Sequence, residues 1–248
     1  MQQQIDLSAF PAELGPALFG RRESSPTSEN VRRYFETSGF SRWTAIYGNG
    51  GLPPIWKVIR DGHDLAMDCV IEWIQDDGGR TALDAGCGTG VLAMRLSDCG
   101  YAVHGFDVSA PMVWYARYNT KDRGPGIPPR FVIGDIAALN APPRSYDLVC
   151  CLDVLFHYPH AECAEMLAKL AAATSNKIIG SFALATPFNL FWMQVGKRFH
   201  QKNRMTNLHM MTYDQIEQVL YRAGLTMRRT HRVKKFFYDS FVFEAVRR

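Results

Sequence analysis

The sequence predicts an α/β fold built on a doubly wound, mostly parallel sheet, and three observations carry that reading. Arg80-Thr81-Ala82-Leu83-Asp84-Ala85 is a short apolar strand that breaks at once into Gly86, Gly88 and Gly90. Ala102-Val103-His104-Gly105-Phe106 and Phe131-Val132-Ile133-Gly134 are two more short apolar strands, leading into Asp107 and Asp135. From there on, strand patterns alternate with helical ones, the order that lays parallel strands side by side with helices on both faces.

Each element has its own signal. Residues 1–28 carry scattered Pro, Gly, Ser and Gln without periodicity and read as a flexible tail. From Glu29 to Tyr47 the pattern is helical, with Val31, Tyr34 and Phe35 on one face, then Trp43, Ile46 and Tyr47 after Gly39-Phe40. A second helix over about 55–73 crosses Gly62, at a propensity cost of roughly 1 kcal/mol. These helices precede the first sheet strand, so 29–75 forms an N-terminal cap on a domain running over 76–248. Strands are expected near 80–85, 102–107, 131–134, 147–152 and 177–183, with helices near 90–98, 110–119 and 161–173. An apolar run and a polar, basic stretch then make an insertion at about 185–210. A helix over 212–223 stops at Gly224, where a glycine C′ is expected. Strands near 225–232 and 236–246 end the sheet as a hairpin, giving seven strands with one antiparallel.

Composition narrows the function classes. At 248 residues, 47% hydrophobic and 21% charged, the chain suits one domain with a small appendage. The net charge of +4 is spread thinly except over Arg228, Arg229, His231, Arg232, Lys234 and Lys235, which read most simply as a solvated turn between the last strands and otherwise as a contact for an anionic substrate or membrane surface; no concentrated basic face points to nucleic acid. The six cysteines have no C-x-x-C spacing, so neither a metal site nor a disulfide framework is indicated. No signal-peptide pattern opens the sequence and no apolar run approaches the ~20 residues that span a bilayer, so a cytoplasmic protein is expected.

The glycine loop points to a cofactor, because a backbone that turns sharply under a ligand needs residues without a Cβ. The spacing is Asp-x-Gly-x-Gly-x-Gly, not the G-x-G-x-x-G of dinucleotide sites, and the loop has no basic residue to favour phosphate. Asp107 follows at the distance from which a βαβ unit delivers a carboxylate to a ribose diol. The ordered set resembles the class I S-adenosylmethionine (SAM)-dependent methyltransferases, with their Rossmann-like sheet. That resemblance implies that Gly86, Cys87, Gly88 and Gly90 admit the methionine part of SAM with Asp84 near its ammonium. It likewise implies that Asp107, with Val108, holds the ribose and that Asp135 and the amide of Ile136 meet the adenine. Asp153, ending the fourth strand, either faces the methionine part or caps the next segment.

Two segments narrow the resemblance. Tyr34-Phe35, Gly39-Phe40 and Arg42-Trp43 in the cap, and Leu152-Asp153-Val154-Leu155 with His157-Tyr158-Pro159 after the fourth strand, are similar to the magnesium-protoporphyrin IX O-methyltransferases, as is the ending at Lys235-Phe236-Phe237-Tyr238. Over about 29–248 this implies methyl transfer from SAM to a propionate carboxylate of Mg-protoporphyrin IX, in chlorophyll or bacteriochlorophyll synthesis. The products are the monomethyl ester and S-adenosylhomocysteine. An O-methyltransferase of another small molecule, such as a quinone precursor, shares the same SAM site. His157 and Tyr34 are expected to be catalytic, and both, with Tyr47, to meet the substrate. His157 orients the carboxylate, contacts the metalloporphyrin, or bonds only within its own loop. The implied partners are the porphyrin and the magnesium chelatase subunit that supplies it. The apolar run Phe188 to Val195, beside Lys197 and Arg198, is either a substrate lid or a peripheral contact with photosynthetic membranes.

Overall fold

The structure, a computed structural model, describes residues 18–20, 25–48, 50–75, 78–121, 127–199 and 208–248, without side chains at 195–199. Most of the expected tail, at 1–17 and 21–24, and the end of the expected insertion, at 200–207, lie outside the described residues.

The cap consists of α1 (Pro26–Phe35), α2 (Ser38–Ile46) and α3 (Pro54–Ile74). The first two were expected as one helix. The chain instead breaks at Glu36-Thr37, where the Thr37 hydroxyl donates back to the Arg33 and Tyr34 carbonyls and Thr37 leaves the helical region. Helix α1 also starts inside the stretch read as tail, because Ser25 caps it through Ser28 N and Pro26 suits its first turn. Further back in that stretch, Leu18 is buried and Phe19 pairs with Leu139 in an isolated bridge.

Seven strands follow as expected: β1 (Thr81–Ala85), β2 (Ala102–Asp107), β3 (Arg130–Ile133), β4 (Tyr146–Cys151), β5 (Thr174–Ala183), β6 (Leu225–Lys235) and β7 (Tyr238–Arg247). Between them run α4 (Val91–Asp98), α5 (Ala110–Thr120), α6 (His160–Ala173), α7 (Pro187–Phe199) and α8 (Tyr213–Arg222). The strand order is β3-β2-β1-β4-β5-β7-β6, and only β7 is antiparallel to its neighbours. Alternate residues of each strand face opposite sides. Leu83, Val149 and Ile178 meet α6 and α8 on one face, while Ala82, Leu148 and Ile179 meet α3 and α4 on the other. Because β2 and β4 flank β1, the connections leave it in opposite directions, and a crevice opens beyond the carboxyl ends of β1 and β4.

The basic cluster Arg228 to Lys235 is part of β6 and not the turn, which is confined to Phe236 and Phe237. As an edge strand β6 tolerates charge. Arg232 reaches Asp239 at 2.6 Å, and Arg229 reaches Glu244 at 2.7 Å, an acid that also accepts from buried Lys177 at 3.0 Å.

Gly62, costly to helix propensity, has a packing reason: a Cβ there would overlap the ring of Tyr238, so α3 lies flat on β7 only because the atom is missing. Propensity alone favours Gly62→Ala by about 1 kcal/mol. Overpacking reverses the sign, and the variant is expected to lose about 1–3 kcal/mol of unfolding free energy in urea titration; a gain in stability would show that the Tyr238 contact is loose.

Candidate active site

The crevice is a single cleft walled by the strand ends below and the cap above. Its floor begins where β1 stops. Gly86, Gly88 and Gly90 all have positive φ (78°, 50° and 82°). A Cβ on Gly86 would run into Val154, whereas one on Gly88 would point into open space, the approach a ligand needs. Gly90 does not line the cleft: it caps the start of α4, where a Cβ would press on Phe131 at 2.9 Å and Ala116 at 3.0 Å. Its part in the loop is therefore packing.

Two carboxylates converge on this turn. Asp84 is only 2% exposed, and its Oδ2 has no hydrogen-bond partner. Burial, then the charge of Asp107, pushes its carboxyl up to about 7, against a bond from the Ala93 amide. Asp107 accepts from Gly88 N at 3.0 Å and Ser109 N at 2.8 Å, yet burial still pushes it up to about 6. A buried carboxylate oxygen with no partner is costly unless a cation or donor comes to it, and the open space over Gly88 leaves room for one. The cradle thus fits a ligand that brings a cation or a donor to Asp84. Cys87 lines the same turn, but burial and the two acids hold its thiol well above the ordinary range, so it is inert.

The remaining floor comes from the other strand ends. Val108 follows β2, and Gly134, Asp135 and Ile136 follow β3. Asp135 accepts from Ala137 N at 2.8 Å and from the Ser28 hydroxyl at 2.5 Å, which ties α1 to this end. Asp153, after β4, takes a left-handed φ of 55°. It is held there by Ser181, whose hydroxyl accepts from Asp153 N and donates to Oδ1, and by the Tyr238 hydroxyl donating to Oδ2 at 2.7 Å.

The roof differs from expectation. Val31, Phe35, Trp43 and His63 line the cleft; Tyr34 and Tyr47 do not. Tyr34 is buried between α1 and α2, where the missing Cβ of Gly39 leaves room for its ring at 2.8 Å, and Phe35 takes the cleft-facing place. The helix break at Glu36-Thr37, which no periodicity signals, sets that phase. Tyr47 stands one residue behind the wall: its hydroxyl is 2.5 Å from His63 Nδ1 and donates to Asp64 Oδ1 at 3.3 Å, and its ring is parallel to that of Trp43. Phe35 and Trp43 stand among the cap aromatics read from the sequence, but without a site role of their own; His63 was not singled out, and no pattern in the sequence marks it.

His157 is brought in as expected. It sits in a 3-10 turn over Leu155–His157, buried, with its ring edge-on to Phe35 at 5.2 Å. Burial, helped by His209, lowers its imidazole to about 3, so it is neutral at physiological pH. It can donate or accept a hydrogen bond but carries no charge to a substrate.

A family model described as "Magnesium-protoporphyrin IX methyltransferase C-terminus" matches residues 151–247, and a "Methyltransferase domain" model matches 82–177. The magnesium-protoporphyrin O-methyltransferase of Synechocystis is 36% identical over 221 residues, spanning 88% of this chain and 95% of the relative. The chain belongs to the magnesium-protoporphyrin IX O-methyltransferase family. Another relative, the chloroplastic magnesium protoporphyrin IX methyltransferase of Arabidopsis thaliana, is 34% identical, over 88% of this chain and 70% of its own. Among solved structures, the Synechocystis family member with bound S-adenosylhomocysteine superposes with a TM-score of 0.79 at 35% identity, covering 89% of this chain and 99% of that one.

The raised carboxyls set a pH dependence for this member of the methyltransferase family. Both acids bind their protons more tightly folded than unfolded, where an aspartate titrates near ~3.9. Their contribution is therefore most favourable at low pH and is lost as pH rises through the window from there to about 6 and about 7. In denaturant titrations of the ligand-free protein at about pH 5.5 and about pH 8, Asp84→Asn is expected to shrink the stability difference between the two conditions. A difference of unchanged size would mean that Asp84 ionises normally.

Proposed function

We infer that the chain is a SAM-dependent carboxyl O-methyltransferase that converts magnesium protoporphyrin IX to its monomethyl ester in chlorophyll or bacteriochlorophyll synthesis. The observation that carries the chemistry is the buried, partnerless Asp84 Oδ2 beside an open glycine turn. Asp84, Gly86, Cys87 and Gly88 would hold the methionine part of SAM, Asp107 and Val108 the ribose, and Asp135 and Ile136 the adenine. When bound, SAM supplies an electrophilic methyl on a sulfonium and leaves as S-adenosylhomocysteine once the carboxylate has taken it.

The protein has little proton chemistry to perform. A propionic acid ionises near the glutamate reference of ~4.3, so at neutral pH the nucleophile is already an anion. What remains is to orient that anion and exclude water. Phe35 and Trp43 supply a dry aromatic roof. Neutral His157 presents a hydrogen bond without a competing charge, and His63, steadied by Tyr47, faces the cleft from the other side of the roof. Positioning of this kind can supply ~7–11 kcal/mol of a barrier. The quinone alternative is less favoured: a ubiquinone biosynthesis O-methyltransferase of Idiomarina loihiensis matches only 50% of this chain, at 30% identity.

Incubation with methyl-labelled SAM and Mg-protoporphyrin IX is expected to yield labelled ester, with quinone precursors inert; the reverse result would overturn this reading. His157→Ala and Tyr47→Phe are expected to lower kcat by roughly tenfold or more with SAM affinity near wild type. Tyr34→Phe, away from the cleft, is expected to leave kcat unchanged, and a comparable loss there would return Tyr34 to the acceptor side.

The protein also meets a poorly soluble substrate, and we propose a peripheral contact with pigment-synthesising membranes, or with the chelatase that delivers the porphyrin. Among the described residues no helix is long and apolar enough to cross a membrane. Phe188, Phe191 and Trp192 of α7 and Phe236 of the β6–β7 turn form an exposed aromatic patch, with Lys234 Nζ 5.7 Å from the Phe188 ring centroid. The side chains of Val195, Lys197 and Arg198 lie outside the described residues. Aromatic rings beside lysine favour an anionic interface. Sedimentation with anionic vesicles is expected to be lost at high salt and in Phe236→Asp; equal binding by that variant would rule out the patch.

A further inference from the structure

The stretch read as tail reaches the adenine end of the cleft. Residues Leu18, Phe19 and Gly20 run beside the 3-10 turn over Ile136–Ala138, with Gly20 N donating to Ala138 O at 2.9 Å and Asn140 N donating to Leu18 O at 2.7 Å. Leu18 is buried by this contact, and Phe19 faces the loop between β3 and the turn. The Phe19 ring fills the space where a Cβ on Gly134 would lie, and it packs edge-on against Phe106 at 5.2 Å. Gly134, Asp135, Ile136 and Phe106 all line the cleft. A short strap, pinned by two backbone hydrogen bonds, therefore drives an aromatic ring against the outside of the three-residue loop carrying the acid and amide of the adenine end.

We infer that Phe19 is a positioning residue for adenine recognition, fixing the Gly134–Ile136 loop so that Asp135 meets the adenine amino group. The role rests on the SAM reading of the cleft. A glycine at 134 leaves that loop free to shift, and the ring behind it removes the freedom. A site held to receive an amino donor discriminates strongly against an analogue that lacks it, because its acceptor is then left unpaired. A loop that can relax loses that discrimination first.

The test uses the full chain and a ratio of affinities measured by calorimetry. S-adenosylhomocysteine carries the 6-amino group; S-inosylhomocysteine carries an oxygen in its place. The wild type is expected to prefer the adenine ligand, and Phe19→Ala is expected to reduce that preference by roughly fivefold or more, the worth of about one hydrogen bond. Phe19→Leu, which keeps apolar bulk behind the loop, is expected to restore most of it and also serves should the alanine variant fold poorly. A merely structural role lowers the melting temperature and both affinities together with the ratio intact, and that result would overturn the inference. If the wild type binds neither ligand, it is the SAM reading of the cleft that fails, and with it the basis for a role of Phe19.

Discussion

A carboxylate held out of water at the end of a central strand governs the rest of this molecule. Asp84 has one oxygen with no protein partner, and its neighbour Asp107 adds a second negative charge close by. Such an arrangement is unfavourable in the empty protein and is tolerated because the sheet on either side is packed tightly enough to enforce it. The glycines at 86 and 88, the Val154 side chain packed against Gly86, and the amides donated to Asp107 all follow from keeping that spot open, polar on one side and dry on the other.

The cap answers the opposite need. A soluble electrophile and an anionic, flat acceptor must meet without bulk water between them, and the strand ends alone cannot enclose a cleft. Helices α1, α2 and α3 bring Val31, Phe35, Trp43 and His63 over the floor. They are fastened at both ends: Ser28 bonds Asp135 at one, and the Tyr47, His63 and Asp64 cluster joins α2 to α3 at the other. Roof and floor thus share Asp135, so that an acid expected to recognise the ligand also helps to hold the cap in place.

The sheet was legible because its central strands β1, β2 and β4 are buried on both faces and read as apolar runs, and β1 to β4 each meet a glycine or an acid at their end or within two residues of it. The same stops placed Asp84, Asp107, Asp135 and Asp153 at one edge, and all four line the cleft. The roof was less legible. Tyr34 and Phe35 are adjacent aromatics, and which of them faces inward depends on a break at Thr37 and on the space over Gly39, neither of which leaves a periodic signal. The strap at Leu18 to Gly20 is too short for any period, and its partner is Leu139, far along the chain. The charges of β6 concealed how far the strand runs, to Lys235 and not to 232, since an edge exposed to solvent keeps none of the alternation that marks a buried one.

The position of β7 has a consequence for how the protein is made. This strand inserts between β5 and β6, and its first residue, Tyr238, reaches across to hold Asp153 and to fill the notch at Gly62 of the cap. During synthesis the glycine turn and the cap emerge long before it. Domains tend to fold as whole units as the chain leaves the ribosome, and here the Asp153 side of the cleft floor stays unbraced until Tyr238 has appeared. A chain ending before Tyr238 carries Asp84, Asp107, Asp135 and Asp153 but leaves β5 with an open edge, the kind of surface on which strands mispair.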